Sequence, residues 1–302
     1  MDCLESVLAQ DYAGRTEIIV VEQGLRRPYE ALEFFFFLHR RRITRIEQDE
    51  PNLPRARNAG SAAARNELLI FVDDDMVLPP GAVARLAGRV LPASRCAVAG
   101  LPISESAPES SFNDYGRLHG AQIRDAESGL IEHSSYIPSP FCISAQLYRG
   151  VGGFDEDLGR LSPTAYGEDG EFWQRAARSG VRLFVDPGLR VVHQDHLPGG
   201  CGSRRTAPEL ALKYHMKSMA YIRIKHHGRL GAGGWLQLAR SYLVNREVLR
   251  EGPREMFRNF LMVRTAIREV KAFMAANRAG RPACKALPGQ SLQMNSLKRQ
   301  EP

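Results

Sequence analysis

A chain of 302 residues with 43% hydrophobic and 25% charged residues has the composition of an ordinary soluble globular protein. Its apolar runs fall short of the roughly 18 residues needed to cross a bilayer, and the N-terminus lacks a signal-peptide pattern, so neither segment is predicted. The five cysteines are scattered without paired spacing, which argues against a disulfide framework or a zinc site and predicts a reducing, cytoplasmic location.

The formal net charge of +7 is unevenly divided. Residues 1–200 contain 21 basic and 28 acidic side chains, whereas residues 201–302 contain 20 basic and 6 acidic ones. The chain is therefore predicted to have an acidic body, residues 1–200, and a basic helical extension, residues 201–277, followed by a disordered tail over residues 278–302.

The body alternates helices with short strands, which predicts an α/β fold with a mostly parallel sheet. Helices are predicted at residues 2–10, 29–38, 55–65, 81–90 and 170–179. Strands are predicted at residues 17–21, 43–47, 68–72, 96–101, 141–148, 181–185 and 189–193. Between the body and the extension, residues 197–208 are rich in glycine and predict a boundary or a mobile lid.

Three further helices are predicted over residues 208–227, 235–250 and 256–274. The last has an apolar face and an Arg-rich face. We expect either peripheral contact with an anionic membrane or lipid-linked acceptor, or packing of the apolar face onto the acidic body. Nucleic acid is not expected as a partner, because aromatic side chains are not interleaved with the basic ones.

A run of aspartates closes the most apolar strand of the body. Leu68–Val72 is uninterrupted and apolar, and Asp73, Asp74 and Asp75 follow it directly. Because side chains alternate along an extended segment, Asp73 and Asp75 are predicted to face the same way. Hard oxygen ligands suit Mg²⁺ or Mn²⁺, and such a metal commonly also holds substrate phosphates. The alternative is a solvated acidic turn.

Six segments in order resemble the family 2 glycosyltransferases, which have the nucleotide-diphospho-sugar transferase (GT-A) fold, and the resemblance covers about residues 3–196. The segments are Cys-Leu-Glu-Ser-Val-Leu-Ala-Gln-Asp-Tyr (3–12), Glu-Ile-Ile-Val-Val (17–21), Arg-Ala-Arg-Asn-Ala-Gly (55–60), Phe-Val-Asp-Asp-Asp (71–75), Gly-Gly-Phe-Asp-Glu (152–156) and Gly-Glu-Asp (167–169). The resemblance implies a GT-A-type α/β fold and an enzyme that uses a nucleotide-diphosphate sugar as donor.

The resemblance also implies a metal site. In this family an Asp-x-Asp pair ligates a divalent metal on the donor diphosphate, a role that falls on Asp73 and Asp75. His193 resembles the histidine that completes this site, and His196 is the rival candidate. Asp74 is expected beside the bound nucleotide, with a capping or supporting role as the alternative. The expected cofactor is Mn²⁺ or Mg²⁺.

The catalytic base implied by the resemblance is Asp169, with the adjacent Glu168 as the fallback. The helix N-terminus is expected to favour its ionised form, and capping of that helix is the alternative role. Arg55 and Arg57 resemble residues that line the nucleotide pocket, the alternative being a solvated basic helix face.

The sequence departs from the family pattern at three places. The usual first strand is missing, and we expect the natural chain to begin upstream. The base-contacting aspartate after the second strand is replaced by Glu22, which leaves the identity of the base open. The Gln-x-x-Arg-Trp motif of processive synthases is absent, which favours the addition of a single sugar.

Together these features predict an inverting, metal-dependent transferase acting on a glycan, lipid-linked or small-molecule acceptor, cytoplasmic and in contact with the inner face of the membrane through its basic helices. Two alternatives remain. One is a non-catalytic GT-A-like protein that binds a sugar nucleotide or a partner. The other is a nucleotidyltransferase, whose usual Gly-rich basic loop is not found near the N-terminus.

Overall fold

A computed structural model describes residues 1–24, 30–105, 123–124, 128–134, 136–161, 167–194, 208–228, 230–244 and 246–280. Its strands are β1 (Ile18–Gln23), β2 (Ile43–Gln48), β3 (Leu68–Phe71), β4 (Met76–Val77), β5 (Cys96–Ser104), β6 (Ile123–Arg124), β7 (Ile131–His133), β8 (Phe141–Ser144) and β9 (Arg182–His193). Its helices are α1 (Asp2–Leu8), α2 (Glu30–His39), α3 (Leu53–Ala63), α4 (Ala82–Arg89), α5 (Ala145–Val151), α6 (Glu156–Leu161), α7 (Glu168–Arg178), α8 (Pro208–His227), α9 (Ala232–Tyr242), α10 (Arg246–Glu251) and α11 (Pro253–Gly280).

The larger sheet is mixed. Its strand order is β3-β8-β5-β9-β7-β6, with β4 also paired to β9, while β1 and β2 form a separate parallel pair. The predicted α/β class, the flanking helices and the C-terminal helical region are confirmed. The strand directions are not mostly parallel, because β8 runs antiparallel to both β3 and β5 and separates them. Within this sheet the long pair β5 and β9 is parallel.

Several predicted boundaries are wrong for local reasons. The run 141–148 is a strand only to Ser144, whose hydroxyl accepts a hydrogen bond from the Leu147 backbone N–H at 3.2 Å and so starts α5. The two strands expected around residues 186–188 are one strand, β9, with a register irregularity opposite Gly100 and Leu101. The helix expected over 235–250 is divided into α9 and α10. The predicted lid (197–207) and most of the predicted disordered tail (281–302) lie outside the described residues.

An aromatic cluster joins the sheet to the helices that carry the candidate site residues. Phe71 of β3 stacks on Phe141 of β8, with ring centroids 4.8 Å apart. Phe154 stacks on Phe172 of α7 at 4.5 Å. Trp173 lies against both Phe141 and Phe172 and is fully buried. Aromatic pairs of this kind stabilise a protein by about 0.5–1.5 kcal/mol in addition to the effect of the apolar area they bury. The cluster therefore stabilises the packing of β3 and α7.

The C-terminal helices pack mainly on one another. Val263, Ile267 and Val270 of α11 are buried in a cluster with Met216 and Ala220 of α8. The middle of the apolar face of the last helix is therefore buried within the protein, although its main partner is α8 rather than the acidic body. Among the described residues, no helix is both long and apolar enough to cross a membrane.

A buried ionic cluster attaches α8 to the body. Glu171 of α7 is fully buried, and its carboxylate contacts Arg175 at 2.8 Å, Lys225 at 2.8 Å and His226 at 3.3 Å. Lys225 also contacts Asp155 at 2.7 Å. Burial lowers the pKa of His226. The Glu171 carboxylate thus links the last turn of α7 to the end of α8, where Asp155 also contacts Lys225.

We therefore expect Glu171→Ala to lower the free energy of unfolding by about 3 kcal/mol, because it removes the counter-charge of Arg175 and one of the two carboxylates that contact Lys225. Urea denaturation measures the change. The matched control is Glu269→Ala, which removes a half-exposed partner of Lys217 and should cost about 1 kcal/mol or less. If both variants lost the same free energy of unfolding, the buried Glu171 cluster would stabilise the protein no more than a surface ion pair does.

Candidate functional site

The aspartate run lies in a turn rather than in an extended strand. β3 ends at Phe71, and the Met76 backbone N–H donates a hydrogen bond to the Asp73 carbonyl at 3.1 Å. Asp73 contacts Arg57, whereas Asp75 contacts His193, so the two carboxylates that were predicted to face the same way have different partners.

Asp75 and His193 form a pair at the sheet edge. The antiparallel register of β4 on β9 sets Met76 opposite His193, and the Gln194 backbone N–H donates to the Asp75 carbonyl at 2.7 Å. This pairing brings the Asp75 carboxylate oxygen Oδ2 to 3.2 Å from His193 Nε2, with about a quarter of each side chain exposed. The prediction that His193 ends a strand is confirmed. His196 lies outside the described residues.

Arg57 connects the aspartate run to the acidic pair of α7. Its guanidinium donates through Nη2 to Asp73 Oδ1 at 2.8 Å and through Nη1 to Asp169 Oδ1 at 2.6 Å. Glu168 Oε1 lies 3.6 Å from Nη1. Burial acts to lower the pKa of Arg57, but the charges of Asp169, Asp73 and Glu168 outweigh it and raise that pKa. Arg57 is therefore a buried cation committed to carboxylates, and the alternative of a solvated basic face is excluded for it.

The position of Arg57 depends on contacts that the sequence did not reveal. Its guanidinium lies over the Phe154 ring at 4.8 Å. Its neighbour Asn58 donates to the Phe154 carbonyl and accepts from the Phe154 backbone N–H, both at 2.9 Å. Gly153 has φ +66°, and a Cβ there would lie 2.7 Å from the Asn58 amide oxygen, so a larger residue would disrupt the contact. The Gly-Gly-Phe segment therefore contacts the Arg-Asn segment and holds the Arg57 side chain in position.

The two acids of α7 are both harder to ionise than exposed carboxyls. Burial raises the pKa of Glu168 well above its usual range, and the charge of Asp169 adds to the effect. Burial also raises the pKa of Asp169, with Asp73 adding to the shift and Arg57 opposing it. The helix N-terminus was expected to favour the ionised form of Asp169, and burial of the carboxyl acts in the opposite direction. Its Oδ1 accepts from Arg57, and no side chain caps the helix at Gly167.

The remaining predicted residues have different surroundings. Partial burial of its carboxyl group, and then the charges of Asp75 and Asp73, raise the pKa of Asp74, although the residue as a whole is exposed. Arg55 is half-buried on the first turn of α3, and among the described residues its guanidinium has no ion pair. Glu22 is 8% exposed and paired with Arg45, and in the described part of the chain its Oε1 has no hydrogen-bond partner. No contact between described residues joins Glu22 to the aspartates.

The chemistry of this edge suits a divalent cation in part. Asp75 and His193 supply an oxygen and a nitrogen ligand at one place, whereas Asp73 is neutralised by Arg57. Within the described residues, no group of three potential ligands is already gathered. A cation held by Asp75 and His193 would need its other ligands from a bound diphosphate and water, as is usual for Mg²⁺-type sites.

Comparison with known proteins gives consistent results. Residues 2–140 match the model described as Glycosyl transferase family 2. The pre-mycofactocin glycosyltransferases of two Mycobacterium tuberculosis strains, CDC 1551 / Oshkosh and ATCC 25618 / H37Rv, are each 32% identical to this chain over 146 residues. That alignment covers 47% of this chain and 29% of each relative, so the chain matches less than a third of their length.

Solved structures show the same fold at low sequence identity. The crystal structure of GalNAc-T7 with UDP, GalNAc and Mn²⁺ has a TM-score of 0.55 at 15% identity, covering 78% of this chain and 50% of that one. The mannosyltransferase PcManGT from Pyrobaculum calidifontis, in complex with GDP-Man and Mn²⁺, has a TM-score of 0.52 at 19% identity, covering 92% and 71%. These comparisons confirm the GT-A-type fold and the family resemblance.

Proposed function

We propose that the chain, whose residues 2–140 match the Glycosyl transferase family 2 model, moves one sugar from a nucleotide-diphosphate sugar to an acceptor hydroxyl, with inversion at the sugar carbon. Asp169 is the proposed base. An acceptor hydroxyl is a poor nucleophile until its proton is removed as the new bond forms. Inversion needs one such base and no covalent intermediate.

The observation that carries the proposal is the bridge made by Arg57. This single buried side chain ties Asp73, after β3, to Asp169, at the start of α7. The segment proposed to face the donor diphosphate and the proposed base are therefore fixed relative to one another before a substrate binds. Fixed relative position is a main source of catalysis in transfer reactions. The raised pKa of Asp169 supports the role as well, since a base with a higher pKa accepts a proton more readily.

A divalent cation, Mn²⁺ or Mg²⁺, is proposed as the cofactor, with Asp75 and His193 as its protein ligands and Asp73 as a neighbour that contacts the donor. When bound, the cation would neutralise the diphosphate and favour departure of the nucleotide. Asp74 is proposed to lie beside the nucleotide. Arg55 and Glu22 are proposed to face the nucleoside, and the unpartnered oxygen of Glu22 offers an acceptor for a base N–H.

A panel of donors tests the proposal. Purified protein with Mn²⁺ is incubated with UDP-, GDP-, ADP- and dTDP-linked sugars, and release of the nucleoside diphosphate is followed by chromatography. Slow hydrolysis of one donor class is expected even without the acceptor. Binding of a donor with no release, both alone and with glycan, lipid-linked and small-molecule acceptors, would favour the non-catalytic alternative. The anomeric configuration of the product, read by NMR, tests inversion.

Metal dependence should follow Asp75 more closely than His193. We expect a chelator to abolish donor hydrolysis and Mn²⁺ to restore it. Asp75→Ala should weaken activation by Mn²⁺ more than His193→Ala, because it removes a charged ligand rather than a neutral one. Mn²⁺ titration of hydrolysis measures both, and Glu251→Ala, which removes an exposed acid of α10, is the control. If Mn²⁺ activated Asp75→Ala as it activates the unaltered protein, Asp75 would not be a ligand of the metal.

A further inference from the structure

A groove on the C-terminal helices lies apart from the residues of the candidate site. It has a volume of about 510 Å³ between α9 and α11 and is lined by Trp235, Phe260, Arg264, Ile267, Arg268 and Lys271. Two aromatic side chains and three cations thus share one small concavity. None of these residues takes part in the proposed transfer.

The groove exposes apolar side chains that a packed helical bundle normally covers. Trp235 is 38% and Phe260 is 37% exposed. Leu236, Phe257 and Leu261, on the same two helices, are 45–63% exposed. Clustered exposure of this kind marks an interaction surface more often than scattered single side chains do.

The cations of the groove have no salt bridge within the described chain, and the charge of Arg268 acts at longer range on Glu269. Arg264, Arg268 and Lys271 are exposed and follow one another at helical spacing along one side of α11. Arg264 lies over the Phe260 ring at 5.7 Å, and none of the three has an ion pair with a described residue. The acid on this part of the helix, Glu269, pairs instead with Lys217 of α8.

We propose that this groove docks the protein onto a membrane surface that carries anionic phospholipids. Phosphate headgroups complement the three cations, and Trp235 and Phe260 supply side chains that favour the boundary between headgroups and acyl chains. Leu236, Phe257 and Leu261 are further exposed apolar side chains on α9 and α11, the two helices that line the groove. An acidic protein surface would satisfy the cations but would leave these apolar groups without a matching environment.

Vesicle sedimentation tests the proposal without any donor or activity. The 302-residue chain is mixed at 50 mM salt with vesicles of phosphatidylcholine alone or with 30% phosphatidylglycerol. Binding is expected only to the anionic vesicles and should weaken at 500 mM salt. Each basic residue near such a surface contributes about 1 kcal/mol, so a triple variant, Arg264→Gln/Arg268→Gln/Lys271→Gln, should bind roughly 100-fold more weakly.

The matched control is Arg65→Gln/Arg149→Gln/Arg178→Gln, which removes three exposed cations from the body and gives the same net charge. It should bind as the unaltered protein does. Circular dichroism and thermal melting are used to check that both triple variants are folded. If the two triple variants lose equal affinity, the attraction is a property of total charge and the groove proposal is overturned.

Tryptophan fluorescence gives a second measurement. The chain has two tryptophans, of which Trp173 is fully buried and Trp235 is exposed in the groove. Anionic vesicles should shift the emission to shorter wavelength, and the shift should disappear in Trp235→Phe. Absence of vesicle binding at 50 mM salt overturns the proposal. A dimer that is seen by analytical ultracentrifugation and dissociates in the Arg264→Gln/Arg268→Gln/Lys271→Gln variant would also overturn the proposal. Binding of RNA instead of vesicles, if it is lost in the same variant, would overturn it as well.

Discussion

Replacing Asp169 by Asn is expected to reduce sugar transfer by roughly 10²-fold or more while leaving donor affinity nearly unchanged. Asparagine keeps an oxygen that can accept the hydrogen bond from Arg57 Nη1, now 2.6 Å from Asp169 Oδ1. It cannot take the proton of the acceptor hydroxyl. Turnover, donor affinity by calorimetry and melting temperature on this one variant separate a catalytic role from a structural one.

The pH dependence should change in the same variant. Burial and the nearby Asp73 raise the pKa of Asp169 above its ordinary value of 3.8. Because the base acts only when ionised, transfer should fall as the pH drops through this raised pKa, earlier than an exposed aspartate would require. The Asn variant should lose this acidic limb. A limb that persists unchanged in Asp169→Asn would belong to another group.

Glu168→Gln is the matched control for the base. Folding buries Glu168 and raises its pKa above the ordinary value of 4.5. Because the folded state binds the proton more tightly, the contribution of Glu168 to the free energy of unfolding is present below pH 4.5. It is lost as the pH rises through the pKa of the folded state. The Gln variant should therefore melt no lower than the unaltered protein at pH 7, and any gain should vanish below about pH 4. Transfer should be largely kept. Loss of transfer in Glu168→Gln, with activity kept in Asp169→Asn, would exchange the two roles.

Replacing Arg57 by Met should produce the second large effect. The variant leaves Asp73, Asp169 and Glu168 close together without their shared cation, and we expect the free energy of unfolding to fall by about 3 kcal/mol. Transfer should fall as well, because Asp169 loses the contact that positions it. Arg57→Lys keeps the positive charge but lacks the planar guanidinium that contacts two carboxylates at once. Compared with Arg57→Met, it should therefore restore stability more fully than turnover.

Arg55→Met is the control for Arg57, because it lies two residues earlier on the same helix and has no ion pair with a described residue. It should change stability by no more than about 0.5 kcal/mol. A double-mutant cycle of Arg57→Met with Asp169→Asn should give a coupling of about 1–2 kcal/mol. Additive losses in that cycle would mean that the contact seen between Arg57 and Asp169 does not hold the base in place.

The sequence by itself determined the features that are encoded within short segments. The apolar run before Asp73 predicts β3, and Asn52 with Pro54 predicts the start of α3, where the Asn52 side chain accepts from the Arg55 backbone N–H. The six ordered segments predicted a resemblance to the family 2 glycosyltransferases, and the family model matches residues 2–140, which contain four of those segments. The excess of basic residues after residue 200 predicted a separate helical, cationic region.

Only the tertiary structure decided which of these segments meet. Arg57 and Asp169 are 112 residues apart in sequence, and nothing local to either specifies the other. The position of β8 between β3 and β5 depends on how a distant strand returns to the sheet, which the alternation of side chains does not encode. Asp73 and Asp75 face different partners because a turn replaces the expected strand. Local pattern fixes which segments form, whereas long-range packing fixes the partner of each charged side chain, and in this protein those partners make up the candidate site.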